Sequence, residues 1–125
     1  MIVTEQEILE LKRFIWQLNS IKEGAVVVEG KRDTNALKKL GYLGKILEFH
    51  TFGGIVNFAD FAAKYKNIIL LFDRDKNGRC LTAKTIQLLQ RRTKVDLSYK
   101  RKLCIITRGK IKFIEQLVCY KDYFS

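Results

Sequence analysis

Apolar residues recur along the chain with two periods, one typical of amphipathic helices and one of buried strands. The first helix begins with Thr4 and Glu7, a capping-box pair, after which apolar residues return every three or four positions. Short runs rich in Val, Ile and Leu lie between the helical stretches and indicate strands. The predicted helices cover about residues 5–19, 33–40, 55–65, 81–91 and 113–118. The predicted strands cover residues 26–29, 46–49, 67–72 and 103–106.

This alternation of strands and helices predicts the α/β class. Parallel strands joined by helical crossovers give a Rossmann-like, mainly parallel four-stranded sheet with helices on both faces. A chain of 125 residues is long enough for one domain of this kind and too short for two cores. Ligands of such sheets bind beyond the carboxyl ends of the strands, so the residues that follow each strand are the first candidates for function.

Carboxylates directly follow two of the predicted strands. Glu29 ends the run 26–28, Asp73 and Asp75 follow the most apolar strand, and Asp33 stands at the start of a helix. Asp73 and Asp75 are two positions apart, so an extended or turning backbone can point both to one side. Acids gathered in this way repel one another unless a divalent cation is bound, and Mg²⁺ prefers oxygen ligands. The alternative is that these carboxylates cap helices or pair with nearby arginines.

The formal charge of the chain is +11, which favours nucleic acid as the partner over an anionic membrane surface or the ribosome. Lysines and arginines dominate one segment, residues 91–112, where Asp96 is the only acid. A solvated surface without a partner is the alternative explanation. The basic residues of this segment are Arg91, Arg92, Lys94, Lys100, Arg101, Lys102, Arg108, Lys110 and Lys112.

The composition, 47% apolar and 30% charged, is typical of a globular protein. No apolar run approaches the roughly 20 residues that cross a bilayer, and the first residues lack a basic region followed by an apolar stretch. We therefore expect a cytoplasmic protein with no membrane partner. Cys80, Cys104 and Cys119 lack metal-binding or redox spacing and are expected to be buried small residues. The single His50 is expected to be structural.

Three known motifs compete for the segment around Asp73. Asp73-x-Asp75-x-Asn77-Gly78 fits the opening of an EF-hand loop, but Lys84 stands where that loop requires Glu. A strand ending in Asp-x-Asp also begins the haloacid-dehalogenase phosphatases, which need a second acidic pair that the chain lacks. Receiver domains carry an acidic pair near the N-terminus, where this chain has none.

Both segments together resemble the Toprim domain, which is the catalytic module of DnaG-type primases, topoisomerases and the ribonuclease that matures bacterial 5S ribosomal RNA. Glu29-Gly30, followed by a basic pair and Asp33, is similar to the first motif of this family, and Asp73-Arg74-Asp75 with Gly78 is similar to the second. The resemblance implies a single Toprim domain over residues 1–125. Its parts would be a helical extension at 1–23, a motif-bearing core at 24–91 and a basic segment with a closing strand and helix at 92–125.

The resemblance also implies roles for the acids. By position, Glu29 would transfer protons in catalysis and also touch metal, Asp73 and Asp75 would be the main Mg²⁺ ligands, and Asp33 would be a further candidate ligand. Mn²⁺ would be a substitute for Mg²⁺. The function implied is that of a Mg²⁺-dependent nuclease that hydrolyses phosphodiester bonds in structured RNA, in preference to DNA. The alternatives are a nucleic-acid-binding module without turnover and, less favoured, a phosphatase acting on small molecules.

Basic side chains would contact the phosphates of the bound strand. Lys31 and Arg32 lie beside the glutamate, and Tyr99 is a candidate for stacking on a base. The remaining candidates for phosphate contact are Arg91, Arg92, Lys100, Arg101, Lys102 and Arg108.

Overall fold

The computed structural model describes residues 2–124 and contains one four-stranded sheet. All strands are parallel, in the order β2-β1-β3-β4. Strand β1, one of the two inner strands, has Val26 opposite Ile46 on one side and Ile69 on the other. The strands are β1 Gly24–Val28, β2 Ile46–Glu48, β3 Asn67–Leu70 and β4 Lys94–Asp96.

Helices cover both faces of the sheet. The α-helices are α1 Glu5–Asn19, α2 Lys31–Lys39, α3 Ile55–Ala62, α4 Lys76–Leu89 and α5 Ser98–Ile106. Residues 2–124 also form two 3₁₀ helices, Phe49–Thr51 and the C-terminal 3₁₀ helix Ile114–Tyr123. Successive strand residues point to opposite faces, so Val26 and Val28 pack under α1, α2, α5 and the C-terminal 3₁₀ helix. Ala25 and Val27 pack under α3 and α4.

A buried polar cluster ties α1 to the C-terminal part of the chain. Glu7 of α1 is 2% exposed, and its carboxylate accepts hydrogen bonds from Lys110 Nζ, at 2.8 and 2.9 Å, and from the Tyr120 hydroxyl. Burial acts to raise the pKa of Glu7, but these hydrogen bonds outweigh it and lower that pKa. The buried carboxylate of Glu7 is therefore paired and hydrogen-bonded.

The predicted four-stranded parallel sheet with helices on both faces is confirmed, but the position of the fourth strand was wrong. Residues 103–106 belong to α5, and the strand is β4 at Lys94–Asp96, which begins nine residues earlier in the chain. In α5, Tyr99, Leu103 and Ile106 contact the core at helical spacing while Ile105 is 69% exposed. The predicted closing helix is the C-terminal 3₁₀ helix.

Two further expectations concern single residue types and membrane spans. Cys80 and Cys119 are exposed and Cys104 is half-buried, so the prediction that the cysteines are buried was wrong. Within residues 2–124, no helix has the length and apolarity that crossing a bilayer requires.

Candidate metal centre and nucleic-acid interface

Glu29 and Asp73, which lie 44 positions apart in the sequence, meet at the carboxyl edge of the sheet. Strand β1 delivers Glu29 to this edge, and the buried residues Leu71 and Phe72 carry the chain from β3 to Asp73. The Glu29 carboxylate accepts a hydrogen bond of 2.9 Å from the backbone N–H of Asp73. Parallel pairing of β1 with β3 is what brings these residues to a common point.

The Asp73 side chain is oriented by the distant C-terminal part of the chain. Its Oδ1 accepts a hydrogen bond of 2.8 Å from the backbone N–H of Ile114, the first residue of the C-terminal 3₁₀ helix. The backbone N–H of Arg74 donates to the carbonyl of Lys112 at 2.9 Å. Gln116 accepts hydrogen bonds from the N–H groups of Lys112 and Phe113, which fixes the turn that presents Ile114.

The second aspartate of the motif, Asp75, begins α4. Its Oδ1 accepts a hydrogen bond of 2.8 Å from the backbone N–H of Gly78, so it is the N-cap of that helix. A β-carbon on Gly78 would lie 1.9 Å from the carbonyl oxygen of Asp73, so only glycine fits this position. The Asp75 charge also acts on Glu29, which places both aspartates in one electrostatic environment.

Asp33 lies in the first turn of α2 and is 7% exposed. Its Oδ2 accepts a hydrogen bond of 3.2 Å from the backbone N–H of Gly30, the N-cap of this helix. Burial and then the negative charge of Asp73 raise the pKa of Asp33. Asp33 therefore has a capping role, and it adds to the negative potential at the edge.

Burial and then the Asp73 side chain raise the pKa of Glu29 from its ordinary value of 4.5 to about 7. The charge of Asp75 acts in the same direction, while the hydrogen bond from the Asp73 amide opposes it. None of the ion pairs among residues 2–124 involves Glu29, Asp73 or Asp75. The edge thus holds like charges that no salt bridge among the described residues neutralises.

The donor set fits a hard divalent cation that keeps part of its hydration shell. Within residues 2–124, no three carboxylate, imidazole or thiolate groups are gathered as a complete ligand set. Mg²⁺ is usually bound by one or two carboxylates together with water and substrate phosphate. Glu29 and Asp73 supply such a pair, and Asp75 lies next to them in the chain.

Basic side chains flank the acids on the α2 side. Lys31 and Arg32, in the first turn of α2, line a depression of about 330 Å³ together with Glu29 and Asp73. The Arg32 guanidinium lies 3.8 Å from the Glu115 carboxylate, and the Arg32 side chain is 88% exposed. Such an exposed pair is weak, so Arg32 can exchange this contact for a phosphate at little cost.

On the opposite side of the acids, Lys100 of α5 reaches towards the Asp73 loop. Its Nζ lies 3.5 Å from the carbonyl oxygen of Asp73 and 3.4 Å from the hydroxyl of Thr82. Burial lowers the pKa of Lys100, although the charges of Asp73 and Glu29 act to raise it. Lys100 is thus a partly desolvated ammonium beside the acids.

The other basic candidates of this part of the chain lie on α5 or shortly after it. Arg101, on the same helix, lines the surface next to Lys100. Lys102 places its Nζ 4.7 Å from the ring centre of Tyr99, and Arg108 follows α5. Tyr99 packs edge-on against Phe14 with 5.8 Å between ring centres, so much of its ring is used in the core.

Arg91 and Arg92 do not share the edge that carries the acids. They follow α4, which begins at the carboxyl edge and runs back to the amino end of the sheet, where β4 starts. Arg92 pairs there with Asp60 at 3.0 Å. Segment 91–112 is therefore divided between two edges of the sheet: α5 and the residues after it adjoin the Asp73 loop, whereas Arg91 and Arg92 do not.

Sequence reasoning missed two parts of this site. His50, expected to be structural, is exposed and lines two depressions beside Glu29. It follows β2, so the rule that ligands bind at carboxyl edges could have found it. The second part is the backbone N–H of Ile114, whose contact with Asp73 cannot be recognised from the identities of the side chains.

Arg74, which lies between the two aspartates, turns away from them. Its guanidinium donates to the carbonyls of Ile111 and Gly109, at 3.2 and 2.9 Å, and to Cys104 Sγ at 2.8 Å. Arg74 therefore does not pair with the acids of the motif, which was the alternative explanation for these carboxylates. Arg74 instead fastens α5 and the segment after it to the Asp73 loop.

Comparisons with known proteins identify the family to which this chain is similar. A family model described as the Toprim domain matches residues 24–115. The UPF0292 protein of Pyrococcus furiosus is 33% identical over 108 residues, which are 86% of this chain and 81% of that protein. The UPF0292 protein of Methanosarcina acetivorans is 34% identical over 118 residues, 93% of this chain and 78% of that protein.

A solved structure of a protein from Aquifex aeolicus has the same architecture. Its TM-score is 0.70 at 26% identity, and the match covers 85% of this chain and 96% of that one. Both Toprim motifs, with Glu29 and with Asp73 and Asp75, lie inside the region that the family model matches. The chain therefore belongs to the Toprim domain family, with archaeal UPF0292 proteins among its relatives.

Proposed function

We propose that this protein is a Mg²⁺-dependent nuclease that hydrolyses phosphodiester bonds in structured nucleic acid, with RNA preferred over DNA. Toprim domains in general bind Mg²⁺ and have functions related to nucleic acids. The observation that carries the proposal is the contact between the Glu29 carboxylate and the Asp73 backbone, at an edge flanked by Lys31, Arg32 and Lys100. This contact supports an acidic, cation-binding centre beside basic side chains that can bind phosphates.

Glu29 and Asp73 would hold the cation, with Asp75 as the third ligand and Asp33 as a further candidate. When bound, Mg²⁺ neutralises the phosphodiester and stabilises charge that develops on the leaving oxygen, and Mn²⁺ can replace it. The hydrogen bond from Ile114 to Asp73 keeps one carboxylate oxygen fixed, so the other is presented in a defined direction. Rigid placement of this kind is what a catalytic centre requires.

Glu29 would also transfer a proton during hydrolysis. In the metal-free site its pKa of about 7 allows this carboxyl group to exchange protons near neutral pH, where a group with the ordinary pKa of 4.5 would stay ionised. The hydrogen bond from the backbone N–H of Asp73 would keep the Glu29 carboxyl group next to the reacting phosphate.

The basic residues would position the strand without reading its sequence. Lys31 and Arg32 on one side and Lys100 and Arg101 on the other would contact phosphates that flank the scissile one. Lys102 and Arg108 would extend this contact along α5 and beyond its end. Contact by Arg91 and Arg92 would require a strand that reaches the opposite edge of the sheet.

The test combines metal binding with cleavage. Mn²⁺ binding is measured by titration calorimetry, and cleavage is measured on structured RNA and duplex DNA with Mg²⁺ or Mn²⁺. Asp73→Asn should abolish both cation binding and cleavage, whereas Glu29→Gln should lower cleavage by at least about a hundredfold and leave nucleic-acid binding intact. Asp60→Asn, which removes an acid at the amino edge, is the matched control and should behave as wild type.

Two results would contradict the proposal. Cation binding that survives Asp73→Asn would place the metal elsewhere. Salt-sensitive nucleic-acid binding without turnover on either substrate would favour a binding module with no catalytic role.

A further inference from the structure

A cleft between α4 and α5 adjoins the acids on the side away from Lys31 and Arg32. It has a volume of about 320 Å³, at the lower end of the range for small-ligand sites. Lys100 connects it to the acids, since its Nζ lies 3.5 Å from the carbonyl oxygen of Asp73. The lining residues are Arg74, Thr82, Leu97, Lys100, Arg101 and Cys104.

The lining combines positive charge with apolar surface and contains no carboxylate. Lys100 is partly buried, and no ion pair among residues 2–124 involves it or Arg101. Arg74 is held by two carbonyls and by Cys104, so its charge has no acidic partner there either. Leu97 and Cys104 provide the apolar part of the wall. This is the chemistry of a nucleotide, which has an anionic phosphate and a flat apolar base.

We propose that this cleft binds one nucleotide of the substrate strand, next to the phosphate at the acids, with its phosphate on Lys100 and Arg101 and its base against Leu97 and Cys104. The proposal rests on the proposed function and deepens it, because it gives the strand a definite course. The strand runs from the depression at Lys31, past the acids, and over Lys100 into the cleft. The base is held by its apolar face, so the cleft accepts different bases.

The neighbouring depression on the other side of α4 has different chemistry. It measures about 400 Å³ and is lined by Glu29 and His50, together with Asn77, Cys80, Leu81 and Lys84. The half-buried carboxylate of Glu29 in its wall opposes the positive charge of Lys84, whereas the cleft at Lys100 contains no carboxylate. The cleft at Lys100 is therefore the better site for an additional anionic nucleotide.

Three natural cysteines allow the two depressions to be distinguished. Cys104 lies in the wall of the proposed cleft, Cys80 in that of the neighbouring depression, and Cys119 is exposed on the C-terminal 3₁₀ helix. Alkylation rates of each thiol are measured by mass spectrometry with and without a short uridine oligonucleotide or uridine monophosphate. EDTA is present throughout, so the result does not depend on a metal or on cleavage.

The oligonucleotide should slow alkylation of Cys104 severalfold and leave the rate at Cys119 unchanged. The Lys100→Gln variant should need about ten times more oligonucleotide for the same protection of Cys104, because it lacks a charged hydrogen bond to phosphate. Lys22→Gln, which removes the same charge at the amino edge, is the matched control and should not weaken this protection. Uridine monophosphate should protect only at higher concentration than the oligonucleotide.

An unprotected Cys104 in wild type would overturn the inference, whether or not Cys80 is protected. Protection by uridine monophosphate at or below the oligonucleotide concentration would also overturn it, since the cleft would then take free nucleotides. Protection that survives Lys100→Gln would remove the assigned phosphate contact. Cleavage without protection of Cys104 rejects the inference alone, whereas protection without any cleavage rejects only the proposed function.

Discussion

Glu29 combines two properties that a stable protein would avoid, a raised pKa and a position beside other acids. Its presence at the end of β1 could be predicted from the sequence, because an apolar run ending in an acid marks a strand end. The groups that orient it could not be predicted in the same way. The amides of Asp73 and Ile114 are backbone donors, and only the folded chain brings them to the two carboxylates.

The raised pKa of Glu29 predicts a pH-dependent cost in stability. The folded protein holds this proton more tightly than the unfolded chain, so the contribution of Glu29 is favourable below its ordinary pKa of 4.5. That contribution is lost as the pH rises through about 7. Glu29→Gln should therefore stabilise the metal-free protein at about pH 8, by on the order of 1 kcal/mol after solvent screening, and much less at about pH 5.

Thermal unfolding in EDTA at these two pH values measures the effect. Glu48→Gln is the matched control, because Glu48 ends the neighbouring strand β2 and its carboxylate makes no hydrogen bond among the described residues. Added Mg²⁺ should stabilise wild type more than Glu29→Gln, because the variant lacks one proposed ligand. A gain in stability that does not change with pH would contradict this account.

At the level of elements, the prediction succeeded where apolar signals were long and failed at the last strand. Strand β4 has three residues and lies at the sheet edge, so it carries a weak apolar pattern. Residues 103–106 are more apolar, yet they belong to a helix, because Tyr99, Leu103 and Ile106 contact the core at helical spacing. A four-residue apolar run does not by itself distinguish a buried strand from part of a helix.

The start of α4 depends on one glycine. Gly78 donates its N–H to Asp75 and lies so close to the Asp73 carbonyl that no β-carbon fits. Gly78→Ala should lower the free energy of unfolding by about 2 kcal/mol or more, because the Asp73 loop must move. The same displacement should weaken cation binding. Urea denaturation and metal titration are the measurements.

Lys76→Ala is the control for this prediction, because Lys76 is an exposed residue of the same first turn. It should change stability by no more than about 0.5 kcal/mol. Similar losses in both variants would mean that the turn, and not the close contact with Asp73, limits stability.

On the scale of the whole molecule, the positive charge is divided between two edges of the sheet. Lys31 and Arg32 adjoin the acids, whereas Arg91 and Arg92 follow α4 at the amino edge. Of these two pairs, only Lys31 and Arg32 should contact phosphates of a strand bound across the acids and so release counterions. The double variant Lys31→Gln with Arg32→Gln should therefore lower the slope of log affinity against log salt by about 2.

The double variant Arg91→Gln with Arg92→Gln removes the same charge and should leave that slope unchanged. Fluorescence anisotropy with a labelled RNA hairpin at several salt concentrations gives both slopes. Equal reductions in the two variants would show that the bound nucleic acid extends around the domain to the amino edge.

The hydrogen bond from Ile114 to Asp73 has a consequence for protein synthesis. Translation delivers Asp73 forty-one residues before the amide that orients it. Glu7 likewise meets Lys110 and Tyr120 only after 103 and 113 further residues have been synthesised. A nascent chain that stops short of Ile114 carries every acid of the motifs but lacks the arrangement that makes them useful, so premature termination should yield an inert product.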